Sequence, residues 1–477
     1  MGPGTMGRVP RWQLSSRRSR QNLRPMLTEL TPADAAFQDL VGASHQRFAR
    51  LVHEAESKAR GFYEKTLGRP AGIEEVVDEV FAAVEREGDA AVVRYSQAFD
   101  GSALPPERLQ VPAAELKAAW DQLEPGLKSA MQTAIEQVVA YQRRLLPSSF
   151  GTALDEPLGV RWTPIPRVGA YVPGGPKGSL PLFSSVIMNL VPAKVAGVPS
   201  TVLVTPPRAD GTLAPEVMAA AYAVGVDEVY RVGGVPAIAA LACGTPTIAK
   251  VDKIVGPGNI VVTLAKRRAY GRVDIDMLAG PSEVLVIADA SADPRHVAAD
   301  LLSQAEHDTL AMCICLVLGG PAVAGPIQAE VARQLAALPE VRQSVARASV
   351  ERFGRLVHVR DLTEAAAVAN RIAAEHLEVL VAEPKALVPR LTNAGAIFVG
   401  PWSPEPIGDY VAGPSHTLPT GGTARMWSGI GADTFLKRTS LINLDEADFR
   451  RLAPAGLALA RGEGLEAHAR SIEVRLG

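Results

Sequence analysis

The fold of this chain is decided by three neighbouring segments, EVLVIA (Glu283–Ala288), LLSQAEHD (Leu301–Asp308) and AMCICLVL (Ala311–Leu318). The first and third are apolar runs with the length and composition of buried strands. Asp293, followed by proline, is typical of a helix start, so the sequence predicts a helix between the runs that closes over Ser303–His307. Strand, helix and strand in this order predict a βαβ unit, which requires a parallel sheet.

Two polar residues at the end of that predicted helix are candidate metal ligands. Gln304 and His307 lie three residues apart and share one helix face. An amide carbonyl and a neutral imidazole both have lone pairs to offer a metal. A polar helix end is more often a solvated cap, and one histidine does not define a site. The segment alone therefore leaves both interpretations open.

The composition is that of a soluble globular protein with room for two to four domains. The 477 residues are 47% hydrophobic and 21% charged, with a net charge of −2, which favours neither a nucleic-acid nor a membrane surface. The three cysteines, Cys243, Cys313 and Cys315, form no CxxC pair and no disulfide framework. A reducing compartment fits this usage, and we expect a cytoplasmic protein.

Residues 1–25 differ from the rest, because they contain six arginines and no acidic residue. Leaders of this composition can be organelle-targeting peptides. We favour a disordered tail, or an upstream start codon with Met26 as the true start, over targeting.

Two series of alternating strands and helices follow a mainly helical segment (Leu27–Leu145). The predicted strands of the first series are Arg167–Val172, Thr201–Thr205, Glu228–Val232 and Lys253–Val255. Its predicted helices are Leu182–Val195, Ala214–Val224, Ala237–Cys243 and Ile260–Ala269. The predicted strands of the second series are Glu283–Ala288, Ala311–Leu318, Leu356–Val359, Glu378–Val381 and Ala396–Val399. This order predicts the α/β class, with two doubly wound parallel sheets, a helical N-terminal arm and a helical C-terminal tail.

Two Gly-rich turns of the first series are candidates for holding a dinucleotide. VPGG (Val172–Gly175) follows one predicted strand, and GPGN (Gly256–Asn259) follows another and opens a helix, as a phosphate-binding turn does. The second turn begins like a GxGxxG fingerprint but has Val261 in place of the third glycine. An ordinary βα turn explains it about as well.

Four of the eight histidines stand in polar or Gly-rich surroundings: His307, His376, His416 and His468. Glu375, Asp409 and Glu463 accompany the last three in sequence. Together they suffice for a zinc site and an acid/base pair. Glu375 and His376 are predicted to end a helix (Thr363–His376) at the amino edge of a strand, where open α/β sheets seldom bind ligands. Composition and spacing leave a metal hydrolase and a metal-assisted dehydrogenase both open.

Read together, these stretches resemble the histidinol dehydrogenase family from about Ile73 to the C-terminal end. The matching motifs are RVGAYVPGG (Arg167–Gly175), VDKIVGPGN (Val251–Asn259), AGPSEVLVIAD (Ala279–Asp289), LLSQAEHD, AAEHLEVL (Ala373–Leu380), GDYVAGPSHTLPTGGTAR (Gly408–Arg425) and EGLEAH (Glu463–His468). The resemblance implies oxidation of L-histidinol through L-histidinaldehyde to L-histidine with two NAD and water, the last step of histidine biosynthesis. It also implies one zinc per subunit and a homodimer in which each tail reaches the partner's site.

The resemblance assigns roles residue by residue. The residues similar to the family's zinc ligands are Gln304, His307, Asp409 and His468. Glu375 and His376 match its proton-handling pair. The substrate contacts implied are Ser282, His416 and Glu463, together with the four ligands and His376. Tyr171 and Asn259 match the cofactor site, where Pro236 replaces the usual Gln. Ser415 replaces a common Asn.

This assignment divides the chain into five expected segments. Residues 1–25 form the basic leader, 26–165 a helical segment leading into the first α/β domain, and 166–281 a Rossmann-like domain on the cofactor side. Residues 282–428 form a Rossmann-like domain that carries the zinc and catalytic motifs and joins part of 74–165 as one discontinuous domain. Residues 429–477 form the tail that reaches the partner subunit.

Three rival functions remain. A relative that oxidises another small alcohol, such as a sulfonated diol, is disfavoured by Ser282, Glu463 and His468, which resemble a pocket for histidinol. A non-catalytic ligand-binding paralogue has no need of the Glu375–His376 pair. A zinc hydrolase leaves the Gly-rich turns unexplained.

Overall fold

A computed structural model describes residues 26–42, 44–174 and 182–477. The basic leader (1–25) and Gly175 of the first Gly-rich turn lie outside the described residues.

The strands of the described chain are β1 (Thr28–Leu30), β2 (Leu158–Pro164), β3 (Arg167–Tyr171), β4 (Ser200–Thr205), β5 (Glu228–Arg231), β6 (Lys253–Val255), β7 (Asp274–Ile275), β8 (Glu283–Ala288), β9 (Met312–Leu318), β10 (Arg355–Val359), β11 (His376–Leu380), β12 (Ala396–Val399) and β13 (Leu436–Ile442). The helices before residue 275 are α1 (Ala35–Leu40), α2 (Ser44–Leu67), α3 (Ile73–Glu87), α4 (Asp89–Asp100), α5 (Ala113–Gln122), α6 (Pro125–Gln142), α7 (Ser184–Val195), α8 (Pro215–Val224), α9 (Gly234–Cys243) and α10 (Ile260–Ala269). Those after it are α11 (Pro294–Ala305), α12 (Pro321–Leu335), α13 (Glu340–Phe353), α14 (Leu362–Ile372), α15 (Pro384–Leu387), α16 (Glu405–Tyr410), α17 (Glu446–Gly462) and α18 (Glu466–Glu473).

The strands β8 and β9, joined by α11, lie in a six-stranded parallel sheet of order β1-β10-β9-β8-β11-β12. Alternate residues of β8 enter two different cores, with Val284 and Val286 on one face and Leu285 and Ile287 on the other. Because helices cover both faces of the sheet, the residues that point to either face must be apolar. The whole strand is therefore a continuous apolar run. The predicted βαβ unit is confirmed.

A second parallel sheet has five strands in the order β5-β4-β3-β6-β7. Its two faces are also covered, since Val202 and Val204 of β4 pack on the side of α3 and α9, whereas Leu203 packs on the side of α7. From β3 the strand order runs outward to β5 and then returns to β6 on the other side of β3. The α/β class with two doubly wound sheets is confirmed.

Three local expectations were wrong. The helix expected over Thr363–His376 ends at Ile372, and His376 is the first residue of β11. The loop expected between residues 400 and 431 contains α16. The tail expected to be helical begins with β13, which pairs antiparallel with β2. The cause of the first error is Ala373, whose left-handed backbone (φ 51°) ends the helix although its side chain suits a helix well.

Cys313 and Cys315 are buried on β9, as their alternation predicted, and burial raises the pKa of both thiols. Across the described ranges, no helix combines the length and apolar character needed to cross a bilayer.

Candidate active site

His376 is the centre of a buried polar cluster at the amino edge of the six-stranded sheet. Its Nδ1 lies 3.0 Å from Gln304 Oε1 and 3.2 Å from the carbonyl oxygen of Glu283. Both partners are acceptors, so Nδ1 carries a proton, and in the neutral ring Nε2 keeps the lone pair. Nε2 lies 3.3 Å from Asp409 Oδ1, and neither atom has a hydrogen-bond partner among the described residues.

Glu375 is buried beside His376 and faces the start of β8. Its Oε2 accepts a hydrogen bond from the backbone N–H of Glu283 at 2.9 Å and lies 3.8 Å from His376 Nδ1. Burial raises the pKa of Glu375 to about 8, against the opposing charge of His376. Burial lowers the pKa of His376, but the carboxylates of Glu375 and Asp409 outweigh it and raise that pKa to about 10. The fold therefore favours keeping protons on this pair.

Gln304 and His307 are placed by the end of α11. The helix begins at the Asp293 cap, whose carboxylate accepts from the N–H of Arg295, and its last turn carries Gln304, which contacts His376, while His307 follows the helix and lies near Glu405 and Asp409 of α16. Gln304 is fully buried, and its Nε2 has no partner in the described part of the chain. His307 is exposed on this chain. The two predicted ligands therefore differ sharply in burial.

His307 and Asp409 come together with Glu405, and their potential ligand atoms lie within 4.8 Å of one another. Glu405 was not predicted. It is 1% exposed, its Oε2 accepts from the Ser303 hydroxyl at 2.6 Å, and burial raises its pKa to about 7. The signal was present in the sequence, because Glu405 and Asp409 are four residues apart and share a face once the segment is helical.

His416 lies beside this cluster and links the loop after α16 to the helix α7, which packs on the five-stranded sheet. Its Nδ1 lies 3.1 Å from the backbone oxygen of Asp409, and its Nε2 lies 3.1 Å from the hydroxyl of Ser185 on α7. Burial lowers its pKa. Asp409 and His416 line a cavity of about 370 Å³ between β12 and α16. The cavity is large enough for a small substrate and opens next to the buried cluster.

Ser282 is half-buried immediately before β8, where its carbonyl oxygen accepts from the N–H of Met312. His468 and Glu463, in contrast, are exposed on the tail. The group of potential metal ligands found among the described residues does not include His468.

The two Gly-rich turns meet at the carboxyl edge of the five-stranded sheet. One follows β3 and the other follows β6, and the order of the strands reverses between these two neighbours. A topological switch point of this kind is where open α/β sheets bind ligands. The second turn packs tightly against the end of β3, since a Cβ at Gly256 would lie 2.1 Å from the backbone oxygen of Tyr171.

The three predicted cofactor residues all lie at this edge, and each has a structural role as well. Asn259 caps α10, its side-chain oxygen accepting from the N–H groups of Val261 and Val262 at 3.1 Å each. Tyr171 is 5% exposed, and burial raises the pKa of its phenol. Pro236 is buried in the first turn of α9, where a missing N–H leaves no helical hydrogen bond unmade.

These features define a doubly wound α/β enzyme with a ligand crevice on one sheet and a buried histidine–carboxylate cluster on the edge of the other. Sequence and structure comparisons specify it further. The family model for histidinol dehydrogenase matches residues 65–476, and the chain belongs to that family of oxidoreductases.

Individual relatives agree. A histidinol dehydrogenase of Moorella thermoacetica is 52% identical over 406 residues, covering 85% of this chain and 94% of that protein. One of a Synechococcus species is 52% identical over 437 residues, covering 90% and 98%. The crystal structure of histidinol dehydrogenase from Elizabethkingia anophelis superposes with a TM-score of 0.80 at 36% identity, covering 86% of this chain and 93% of that one.

Proposed function

We propose that this chain oxidises L-histidinol through L-histidinaldehyde to L-histidine, with two NAD and one water, as the last step of histidine biosynthesis. The observation that carries the proposal is the buried Glu375–His376 pair in contact with Asp409. We expect the enzyme to act in the cytoplasm, where its unpaired cysteines stay reduced.

The residues present suit a zinc ion. His307, Glu405 and Asp409 offer an imidazole and two carboxylates, which are donors that zinc accepts, and Asp409 Oδ1 is buried without a hydrogen-bond partner in the described chain. Gln304 Oε1, which already faces His376, has a second lone pair for the same ion. A zinc ion held by these residues would supply a Lewis acid that orients the amino alcohol and offsets the charge of the carboxylates.

His376 is the proposed base for the alcohol step, because a cation bound at Asp409 would offset the carboxylate charge that raises the pKa of His376. Because two carbonyl oxygens face Nδ1, the ring can accept a proton at Nε2 without rotating. The same contacts fix the plane of the ring, so Nε2 stays directed toward Asp409 and the substrate side of the cluster. In the first oxidation the proton of the alcohol passes to Nε2 while hydride leaves for NAD.

Glu375 is the proposed base for hydration of the aldehyde. A carboxyl group with a pKa near 8 is a far stronger base, once ionised, than an ordinary carboxylate. It can therefore deprotonate the water that attacks the aldehyde carbon. The hydrogen bond from the Glu283 N–H holds one carboxylate oxygen and leaves the other for the water.

We place NAD at the switch point of the five-stranded sheet. The N-terminus of α10, with its positive dipole end, follows the GPGN turn and suits a pyrophosphate. Tyr171, Asn259 and Pro236 border this position. Ser282, His416 and Glu463 are the proposed contacts to histidinol, in addition to the ligands and His376.

The tail is proposed to complete the site of a second copy. On the described chain α17 buries only Ala453 and α18 only Ala469, while Leu459 and Val474 are 68% and 74% exposed. An apolar patch also lies exposed beside the cluster, at Trp402, Ile407 and Tyr410. A homodimer in which each tail covers the partner's patch buries both surfaces and supplies His468 as a further zinc ligand.

One assay separates this function from its rivals. We expect two NADH per L-histidinol consumed, loss of activity on chelation and recovery with Zn²⁺. A different alcohol oxidised with one NADH per molecule indicates the related dehydrogenase. Hydrolysis without NAD indicates a hydrolase, and binding of histidinol without turnover indicates a non-catalytic protein.

A further inference from the structure

A buried ion pair lies directly behind the GPGN turn. Lys266 is on α10, two turns after Asn259, and Asp276 follows β7. The two side chains form an ion pair and are 2% and 0% exposed, respectively. Neither residue belongs to the site assigned above.

The pair binds both backbone polar groups of a single residue, Gly256. Lys266 Nζ donates to the carbonyl oxygen of Gly256 at 2.9 Å, and the N–H of Gly256 donates to Asp276 Oδ2 at 2.7 Å. The other oxygen, Oδ1, accepts from the N–H of Met277 at 2.6 Å. Gly256 has a φ of +109°, a conformation that favours glycine, and it is the first residue of the turn. The ion pair thus fixes the residue where the strand becomes the turn.

Asp276 also begins the segment that links the turn to the catalytic pair. Within this segment the carbonyl oxygen of Ala279 accepts from the Thr263 hydroxyl of α10 at 2.8 Å. The segment then enters β8, where the N–H of Glu283 holds Glu375. The side chain of Asp276 therefore contacts the proposed cofactor turn, and the segment that begins at Asp276 leads to the backbone N–H that binds the proposed base.

Stability alone does not account for such a pair. Replacing a buried ion pair with well-packed apolar residues of similar volume is often neutral or stabilising, because desolvating two charges costs about as much as their attraction returns. What apolar side chains cannot reproduce is a donor to the Gly256 carbonyl oxygen and an acceptor from the Gly256 N–H.

We propose that Lys266 and Asp276 are positioning residues that set the GPGN turn for the dinucleotide and fix it relative to the catalytic pair. The proposal rests on the proposed function, because it assumes that this turn binds NAD. The pair acts through the backbone of Gly256 and does not itself contact the cofactor.

The test is the double variant K266M/D276N, which removes both buried charges and the lysine donor but keeps an oxygen for the Gly256 N–H. We expect the Kd and KM for NAD to rise about tenfold, in keeping with one or two lost hydrogen bonds and a displaced turn. The KM for L-histidinol and the bound zinc should stay within about twofold of the parent.

A matched control exists in the same sheet. Arg167 and Glu228 form a bidentate ion pair (2.7 and 2.9 Å) at the first residues of β3 and β5, at the opposite edge from the turn. R167M/E228Q should change thermal stability without changing the Kd for NAD.

Three outcomes decide the matter. An unchanged Kd for NAD in folded K266M/D276N, or an equal rise in the control, overturns the proposal. If the double variant does not fold, D276N alone decides, with a rise of at least threefold expected and no rise overturning the idea. If the parent enzyme itself does not bind NAD, the proposed function fails, and the positioning role fails with it.

Discussion

Replacing Glu375 with Gln should stabilise the metal-free protein while impairing its activity. The perturbation removes an ionisable group that is 5% exposed and whose pKa is raised by burial from 4.5 to about 8. The amide can still accept from the Glu283 N–H, so the local hydrogen bond is kept. The variant therefore removes the cost of ionising this carboxyl, together with the negative charge that helps to raise the pKa of His376.

The sign and the size follow from linkage. Below pH 4.5 the carboxyl is protonated in both the folded and the unfolded chain, so it has no effect. Above that pH the carboxyl loses its proton in the unfolded chain but keeps it in the folded chain. The free energy of unfolding therefore falls as the pH rises, up to about pH 8. At about 1.4 kcal/mol per pKa unit, the cost is about 1 kcal/mol at pH 5, about 3 at pH 7 and about 4 at pH 8.

The assay is urea unfolding of chelator-treated protein, followed by tryptophan fluorescence at these three pH values. The midpoint of Glu375→Gln should exceed that of the parent, and the gap should widen with pH. Glu351→Gln, at an exposed position of α13, is the control and should show no gap. A gap that is constant or narrows as the pH rises would refute the reasoning, because it would mean that burial does not hold the proton on Glu375.

Four further predictions test the proposed roles. His307→Ala should remove most of the bound metal, measured by metal analysis, and most of the activity. A variant that keeps stoichiometric zinc would show that His307 is not a ligand. Glu375→Gln should slow oxidation of histidinaldehyde at least as much as that of histidinol, because only the second oxidation needs activated water, whereas His376→Asn should chiefly slow the alcohol step; the reverse pattern would exchange these roles. Inactive His376→Ala and His468→Ala chains, mixed and refolded together, should regain part of the activity, because each hybrid contains one intact site; mixed dimers that stay inactive would exclude a tail that crosses the interface. Pro236→Gln should lower the KM for NAD about two- to tenfold at nearly constant kcat, since an amide adds a hydrogen bond; an unchanged or higher KM would show that the first turn of α9 already compensates.

Local chemistry determined much of the architecture. β8 and α10 begin and end at the residues expected from the sequence, because a strand buried on both faces must be apolar throughout and α10 carries a strong Asn259 cap. The motifs that resemble the family are likewise readable without coordinates, and they led to the same family as the comparisons.

Only the tertiary structure decided which distant groups meet. β13 pairs with β2 across more than 270 residues of chain, and no local signal carries that pairing. Glu405 enters the cluster because α16 forms within an apparent loop, and His376 begins a strand because Ala373 adopts a conformation that its side chain does not favour. Lys266 and Asp276 looked like ordinary polar residues in the sequence. Their role appears only when both reach the same buried glycine, since burial and partner geometry depend on the whole fold.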